Sequence, residues 1–552
     1  MIPMGSPSSV SLSFAGWLLL TAVFFPQVHA QEKCSVSAIR AMAPEDTTIS
    51  KVESLATPKP HCRIDGYVTT RNPGPNQGHF RLQLPDTDWN GRYFFIGLGG
   101  AAGYVPTEAQ LPHGNPITAG WAVAGTDTGH QGNVLDWSFL RDHPDQRLDY
   151  HSRGTHVTAR ATQQITRQYY QTDKLYRYIS GCSGGGRMGV MAAENHPEDF
   201  DGYLIGAPGR SAETFLMFMW TSQVNLREPD AWVPPSKLAF VEKNVKAACD
   251  ATDGVEDQMV WDPAKCDFDI ASLQCSEGQE EDCLSATHVE TIRQVLRGPH
   301  GPDGKRITYG MPITNMGSGW PSFYGAVPPP WPEDTSIESL RKSSSGYVMG
   351  HVMTRVYFGP DYDFVEDFDF NDRDDLDAFW QGTEKYLFGQ PHKSDLTGVE
   401  KAGGKVIWWH GVSDAGPTAP TSLDYFRLAK EKMGGNPERL ADTARLYLIP
   451  GMLHCSGGTG PHDAPDRLLE TLVDWVENGK EPGSVVTHRG PGNFDPVFKP
   501  VGGENVAGVR LPNATGNPRD FRLCPYPQIS TFQGGNAGVG DAKNWHCRQP
   551  NP

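Results

Sequence analysis

Tyr176-Arg177-Tyr178-Ile179-Ser180-Gly181-Cys182-Ser183-Gly184-Gly185-Gly186-Arg187-Met188-Gly189-Val190-Met191-Ala192-Ala193 is the stretch on which the fold turns. A short β-prone run enters it, a turn of small residues follows, and a segment of helical character leaves it. Gly181-x-Ser183-x-Gly185 has the spacing of a nucleophile elbow, where a serine sits on a strained strand-to-helix turn and its neighbours must be small. The helix beyond would aim its first N–H groups at a developing oxyanion. Glycine- and serine-rich turns also join strands to helices with no chemistry attached, so the reading depends on partners downstream.

Two downstream runs supply them. Gly403-Gly404-Lys405-Val406-Ile407-Trp408-Trp409-His410-Gly411-Val412-Ser413-Asp414 is a β-run ending in an acid on a turn. Ala444-Arg445-Leu446-Tyr447-Leu448-Ile449-Pro450-Gly451-Met452-Leu453-His454-Cys455 is a strand followed by a loop histidine. The order Ser183, Asp414, His454, with acid and base each just past a strand, is that of an α/β-hydrolase. Ser183 would attack an acyl carbon. His454 would take its proton and return it to the leaving group, and Asp414 would fix the imidazole tautomer. The N–H of Gly184 would face the oxyanion, with that of Gly99 or Gly100 opposite. Cys182 directly precedes the serine and Cys455 directly follows the histidine. Bonded cysteines have Cα atoms within about 7 Å, so a Cys182–Cys455 bond would hold the two loops together.

The rest of the chain reads outward from these elements. Arg63 to Thr69 and His79 to Pro85 alternate as antiparallel strands at the start of a sheet. Tyr93 to Ile96 is a buried-strand run ending in Gly97-Leu98-Gly99-Gly100-Ala101-Ala102-Gly103, placed where this fold supplies its second oxyanion N–H. Its glycine spacing does not make a clean phosphate loop. Trp121 to Gly125 is another core strand leading to Thr126-Asp127-Thr128-Gly129-His130. Asp127 and His130 invite a catalytic reading, but Asp and Thr favour turn hydrogen bonds, which is the preferred one. His151 to Tyr170 has helical spacing, Phe200 to Pro208 reads as the next parallel strand, and Leu468 to Asn478 as an amphipathic helix. The tail carrying Cys524 and Cys547 reads as irregular and stapled.

The chain has 552 residues, with 61 Gly, 45 Pro and a net charge of -17. That length calls for a core plus a large insertion or a second domain. The negative charge argues against nucleic acid as a partner. Phe14 to Phe25 is an apolar run, and Val28-His29-Ala30 resembles a small-x-small cleavage site, so residues 1–30 read as a signal peptide with Gln31 first in the mature chain. No Lys or Arg precedes the run, which departs from the usual pattern. No second segment is apolar enough to span a bilayer, so no membrane partner is expected after cleavage. Ten cysteines in an exported chain suggest disulfides. No CxxC pair or HExxH motif occurs, which speaks against a zinc ribbon or a metalloprotease. Asn513-Ala514-Thr515 is a glycosylation sequon for a eukaryotic secretory pathway.

Strand-helix rhythm stops after Pro208 and returns near Lys405. The segment between, rich in Trp, Pro, Gly and acids, reads as an inserted lid. The chain thus divides into a first α/β-hydrolase part over 31–209, a lid over 210–399 and a second core part with a disulfide-stapled tail over 400–552. Close spacing pairs Cys249 with Cys266 and Cys275 with Cys283, while Cys34 and Cys62 bracket the N-terminal segment. Within the lid, Asp250, Asp253 and Asp257 surround the turn at Gly254. With the backbone carbonyls of Val255 and Met259 they offer the hard oxygens that calcium takes, although not at EF-hand spacing. A solvated acidic turn is the alternative.

Cys182-Ser183, Asp414 and His454-Cys455 together resemble the Cys-Ser/Asp/His-Cys motif of the tannase and feruloyl esterase family. The resemblance extends to Thr126-Asp127-Thr128-Gly129-His130, to Pro450-Gly451-Met452-x-His454-Cys455-x-Gly457-Gly458 and to Trp475-Val476-Glu477-x-Gly479, and covers nearly the whole mature chain. It implies an α/β-hydrolase core, a lid with a structural calcium at Asp250, Asp253, Val255, Asp257 and Met259, no organic cofactor, and a secreted or periplasmic serine esterase. Two features depart from the family: Gly184 stands where some members carry a side chain, and Gly310 to Trp320 matches family lids only loosely. The expected substrate is a small aromatic ester of gallate or hydroxycinnamate type. A terephthalate monoester is the alternative, which would call for an arginine from among Arg293, Arg297, Arg306, Arg341 and Arg355. A non-catalytic module on the same fold is disfavoured by the intact Ser183, Asp414 and His454.

Overall fold

The computed structural model describes residues 33–106, 116–209, 211–279, 281–336, 339, 342–388, 393–490, 516–534 and 538–550. The expected signal peptide with Gln31, the Asn513 sequon and Arg341 lie outside the described residues.

Strands β1 (Thr47–Leu55), β2 (His61–Thr70) and β3 (Asn76–Pro85) form an antiparallel meander. In β2, Cys62, Ile64, Gly66 and Val68 are buried while Arg63, Asp65 and Tyr67 are half-buried, the two-residue period of a sheet with one face on the core. Strands β4 (Arg92–Ile96), β5 (Ala122–Thr126), β6 (Tyr176–Cys182), β7 (Gly202–Gly206), β8 (Lys405–Gly411) and β9 (Ala444–Ile449) are mostly buried throughout, as parallel strands covered on both faces must be. The sheet runs β1-β2-β3-β5-β4-β6-β7-β8-β9. From β5 to β9 every pairing is parallel, and β3 lies antiparallel to both neighbours. This is the expected α/β-hydrolase arrangement with one added edge strand.

Register does the positioning. Cys182 pairs with Gly206, Gly206 with Trp409, and Gly411 with Ile449. The C-terminal ends of β6, β8 and β9 therefore lie side by side, and the loops that follow carry Ser183, Asp414 and His454. Helices α1 (Gly154–Tyr170) and α2 (Gly184–Asn195) serve the first half of the core. The main lid helices are α3 (Ser211–Leu226), α4 (Pro235–Cys249), α5 (Ala286–Arg297), α6 (Ser345–Phe358) and α7 (Arg373–Leu387). Helices α8 (Ala419–Lys432) and α9 (Ala464–Asn478) return to the core, where α9 packs on β7 and β8.

Buried apolar side chains separate into two clusters. One surrounds the sheet, with Phe94, Tyr178, Trp408 and Tyr447 at its centre. The other belongs to the lid and holds Phe215, Phe218, Trp320, Tyr324, Trp331, Tyr347 and Tyr357. Most lid aromatics are therefore lid core, as a loop-rich insertion requires. Val134, Leu135, Trp137, Leu140 and Tyr150 join the lid cluster although they precede 210 in the chain. The segment after β5 leaves the sheet at its C-terminal edge, the edge the lid covers.

The ten cysteines form five disulfides: Cys34–Cys62, Cys182–Cys455, Cys249–Cys266, Cys275–Cys283 and Cys524–Cys547. The tail is not irregular. Strands β10 (Val485–Arg489) and β11 (Arg519–Leu523) pair antiparallel, as do β12 (Ile529–Phe532) and β13 (Trp545–Arg548). These strands have four or five residues, too few for an alternating pattern to stand out from turns. The tail packs on the acidic lid loop: Trp545 stacks on Trp261 at 4.3 Å, and Arg519 pairs with Asp257 at 2.6 Å.

Candidate active site

Strand β6 delivers Ser183 on a backbone with φ 59° and ψ -121°, a conformation tolerated only where the surroundings over-determine it. The Ser183 N–H is held by the Gly206 carbonyl at 3.0 Å, and the Ser183 carbonyl accepts from Arg187 N at 2.9 Å and Gly209 N at 3.2 Å. The glycines around it are needed because backbone meets backbone. A Cβ on Gly184 would stand 2.2 Å from the Gly100 carbonyl oxygen and 2.6 Å from the Gly100 nitrogen; one on Gly185 would stand 2.4 Å from the Gly97 oxygen. The loop after β4 thus lies directly against the elbow, and Gly100 rather than Gly99 brings its nitrogen closest to Gly184. The same contact explains why Gly184 carries no side chain here. As the first residue of α2, Gly184 has an N–H with no partner inside the helix.

Asp414 and His454 meet at 2.8 Å, Oδ2 to Nδ1. Asp414 is buried, and its Oδ1 accepts from Gly416 N at 2.8 Å. Burial by itself would raise its pKa, but His454 and His410 outweigh that and hold it below the usual value. The disulfide Cys182–Cys455 joins the residues adjacent to Ser183 and His454 with a Cα separation of 5.8 Å, and Cys455 Sγ lies 3.6 Å from His454 Nε2. Ser183 and His454 are half-buried.

His410, overlooked in the sequence, secures the acid. Its Nε2 donates to the Pro417 carbonyl at 2.6 Å and lies 3.4 Å from Asp414 Oδ2, and its Nδ1 is hydrogen-bonded to Ser422 Oγ at 2.7 Å. The available signal was a histidine four residues before the acid, at the end of an apolar strand. Phe323 is one of the aromatic residues in which the lid segment is rich, and the one whose ring meets His454. It is half-buried, its ring meets that of His454 edge-on at 5.4 Å, and it stacks on Phe218 at 5.3 Å. The stretch from Gly310 to Trp320, just before it in the chain, is anchored on the residue beside Asp414: Thr314 Oγ1 and Asn315 Oδ1 bracket Ser413 Oγ at 2.8 and 3.1 Å.

Asp127 and His130 do not join the Asp414–His454 pair but border the loop after β4, where Gly103 N donates to the Asp127 carbonyl at 3.3 Å. Asp127 Oδ1 accepts from His79 N at 3.0 Å and Gly129 N at 2.9 Å, a turn-closing role. His130 stacks on Phe139 at 3.7 Å, and burial lowers its pKa to about 4. A cavity of 980 Å³ between lid, core and tail touches Asp414 but neither Ser183 nor His454, so it is not where an acyl group would meet the serine.

In the acidic lid loop, Asp250 is buried and accepts from Asp257 N, Gln258 N and Met259 N at 2.8–3.1 Å. Asp253 accepts from Trp261 N at 3.0 Å. Burial foremost, then the charges of Asp257 and Asp250, push Asp253 up to about 7. Arg519 offsets one of the three charges. The crowding of unneutralised carboxylates is what a hard dication would relieve, so the donor set fits calcium.

The chain matches the profile of the family described as tannase and feruloyl esterase over residues 62–548. It is 27% identical to the probable feruloyl esterase B-1 of Aspergillus flavus, covering 91% of this chain and 89% of that one. It is 27% identical to the mono(2-hydroxyethyl) terephthalate hydrolase of Piscinibacter sakaiensis, over 94% and 89%. Its fold superposes on the crystal structure of feruloyl esterase B from Aspergillus oryzae with a TM-score of 0.75 and 23% identity, covering 94% of this chain and 100% of that one.

Proposed function

Because the chain belongs to the tannase and feruloyl esterase family and is a carboxylic ester hydrolase, we propose that it cleaves esters of aromatic acids, of gallate or hydroxycinnamate type, through an acyl-enzyme on Ser183. The observation that carries this is the Asp414–His454 pair at 2.8 Å, tied to the elbow by Cys182–Cys455. With Nδ1 engaged by Asp414, His454 Nε2 is the atom left to serve Ser183. Ser183 Oγ attacks the ester carbonyl while its proton passes to Nε2. The oxyanion forms against the Gly184 and Gly100 N–H groups. The C–O bond breaks, and the alcohol leaves with the proton from Nε2. Water then gives a proton to Nε2 as it attacks the acyl carbon; the bond from that carbon to Oγ breaks, Nε2 returns the proton to Ser183 Oγ, and the acid leaves. The half-buried Phe323 ring beside His454 supports a flat acyl group.

The relative named for mono(2-hydroxyethyl) terephthalate favours a terephthalate monoester as the second reading. Of the candidate lid arginines, Arg293 pairs with Asp269, Arg355 pairs with Glu333, Arg306 lies over Tyr309 at 3.9 Å, and Arg297 lines the 980 Å³ cavity. A panel of methyl gallate, methyl ferulate, a terephthalate monoester and a short aliphatic ester separates the readings. We expect kcat/KM for an aromatic-acid ester at least ~10-fold above the aliphatic one, about 1.4 kcal/mol of transition-state discrimination. Equal or reversed efficiencies remove the aromatic reading.

Asp250, Asp253 and Asp257, with the carbonyls of Val255 and Met259, would hold a structural calcium, which supplies charge neutralisation and no chemistry. A chelator should lower Tm, as loss of a ligand specific to the folded state does. An unchanged Tm with no metal by elemental analysis returns the loop to a solvated acidic turn. Export is part of the same proposal: five disulfides with no free cysteine fit an oxidising compartment, and the secreted chain should begin at Gln31.

A further inference from the structure

His156 stands near the start of α1, His196 caps the C-terminal end of α2, and Asp199 sits in the turn into β7. The fold brings one ligand atom of each within 4.8 Å of the others. His156 Nδ1 lies 2.7 Å from Asp199 Oδ2, and the rings of His156 and His196 stack at 3.9 Å. We propose that His156, His196 and Asp199 form a binding site for a divalent transition ion of the zinc class, which ties the far end of the nucleophile helix to the helix before it.

A histidine–aspartate pair with a ring laid on it could be packing alone. Asp199 argues otherwise. It is fully buried, and its Oδ1 has no hydrogen-bond partner among the described residues. A buried carboxylate oxygen left unpaired is costly, and a bound cation would compensate it. Two imidazoles and one carboxylate suit zinc and its neighbours, not calcium or magnesium. Three protein ligands leave a fourth position for water, and both rings are half-buried, so an ion can enter. The carbonyl end of α2 favours positive charge at His196. Gln163 Nε2 donates to the Asp199 carbonyl at 2.9 Å and so steadies the turn from behind. Three charges lie nearby: Glu198 favours a cation at His196, while Lys393, which donates to Asn195 Oδ1 at 3.1 Å, and Arg177, which donates to the Glu198 carbonyl at 2.7 Å and faces Asp199, disfavour one. To point both nitrogens at one ion, one of the stacked rings must turn about its side-chain torsions.

The test uses the full chain, stripped with a chelator and then held in excess calcium to fill hard-oxygen positions. Zinc is titrated calorimetrically, and Co2+ is added as a spectroscopic probe. The expected result is one zinc per chain, visible d–d absorption with Co2+, and a higher Tm with zinc. His196→Phe keeps a stacking ring and removes the ligand. It should weaken zinc binding at least ~10-fold, the loss that even an outer-shell substitution produces, with metal-free Tm and kcat unchanged. His156→Gln should weaken binding similarly. Absence of stoichiometric binding by the unmodified chain, or equal binding by His196→Phe, overturns the proposal and leaves the rings as packing.

Discussion

The two ends of α2 are built from opposite materials. At the N-terminal end Gly184, Gly185 and Gly186 contribute no side chains, and added Cβ atoms would strike the backbone of Gly100, Gly97 and Gly206 at 2.2–2.4 Å. At the C-terminal end side chains do the work. Glu194 accepts from Tyr425 Oη at 2.9 Å and Lys393 N at 3.2 Å, Asn195 Nδ2 donates to the Met191 carbonyl at 2.9 Å, and the His196 ring lies on His156. The difference teaches what each end offers. Where the useful groups are main-chain N–H, bulk must be absent so that another backbone can close on them. Where carbonyls run out, ionisable side chains take over and burial tunes them.

The sharpest test of this contrast is at Ser183. Ser183→Ala should lower kcat by ~10⁴-fold or more with Tm unchanged, since the oxyanion site and binding alone leave little catalysis. Retention of more than about a tenth of the activity, measured on the preferred ester, would show that another nucleophile serves. Gly184→Ala comes next, because its Cβ must displace Gly100; a loss of about 10² in kcat matches removal of an oxyanion donor. Activity within twofold would place the oxyanion elsewhere.

The disulfide between the elbow and the histidine loop should matter less to chemistry and more to order. Cys182→Ala/Cys455→Ala should lower stability by about 2–5 kcal/mol and kcat/KM by about 10-fold, since small misplacement of reacting groups is costly. In the unmodified chain, graded reduction should lose activity before far-UV circular dichroism changes. Peptide mapping that finds either thiol free in the active protein breaks the link.

The smallest effect on catalysis belongs to the other end. Burial pushes Glu194 up to about 7 from its ordinary 4.5, despite its hydrogen bonds. The folded chain therefore holds this proton where the unfolded chain has lost it. The stability tied to Glu194 is full below about 4.5 and is lost as pH rises through about 7, on the order of 3 kcal/mol across that window. Glu194→Gln should flatten the fall in urea midpoint between pH 5 and 8 and leave kcat within twofold. An unchanged pH slope would show that Glu194 titrates normally.

The strand-to-helix turn at Ser183 and the strand ends before Asp414 and His454 were legible because each rests on local pattern. Consecutive small residues around Ser183 suit a turn on which another backbone closes, and a strand-end acid and a strand-end histidine are read from apolar runs of six or seven residues. The tail strands were not legible, because they are too short to show a period and draw their stability from packing on the acidic loop through Trp545 and Arg519. His410 was visible as a residue but not as a support, since its partners Pro417 and Ser422 reach it only when α8 folds back.

By itself, then, the amino-acid order showed the strand-to-helix turn at Ser183, the strand ends before Asp414 and His454, and the two lid disulfides, which close 17 and 8 residues of chain, because each rests on one short stretch. Tertiary structure decided the rest. It laid Gly100 against Gly184, brought Phe323 out of the lid aromatics to meet His454, and divided the acids between Asp414, held low by histidines, and Asp253, pushed up by burial and like charge. The physical reason is common to all three. Close approach and ring contact are set by which distant segments pack together, and burial by everything packed around a group, so a short window shows the charges at Asp250, Asp253 and Asp257 but not the burial that shifts them.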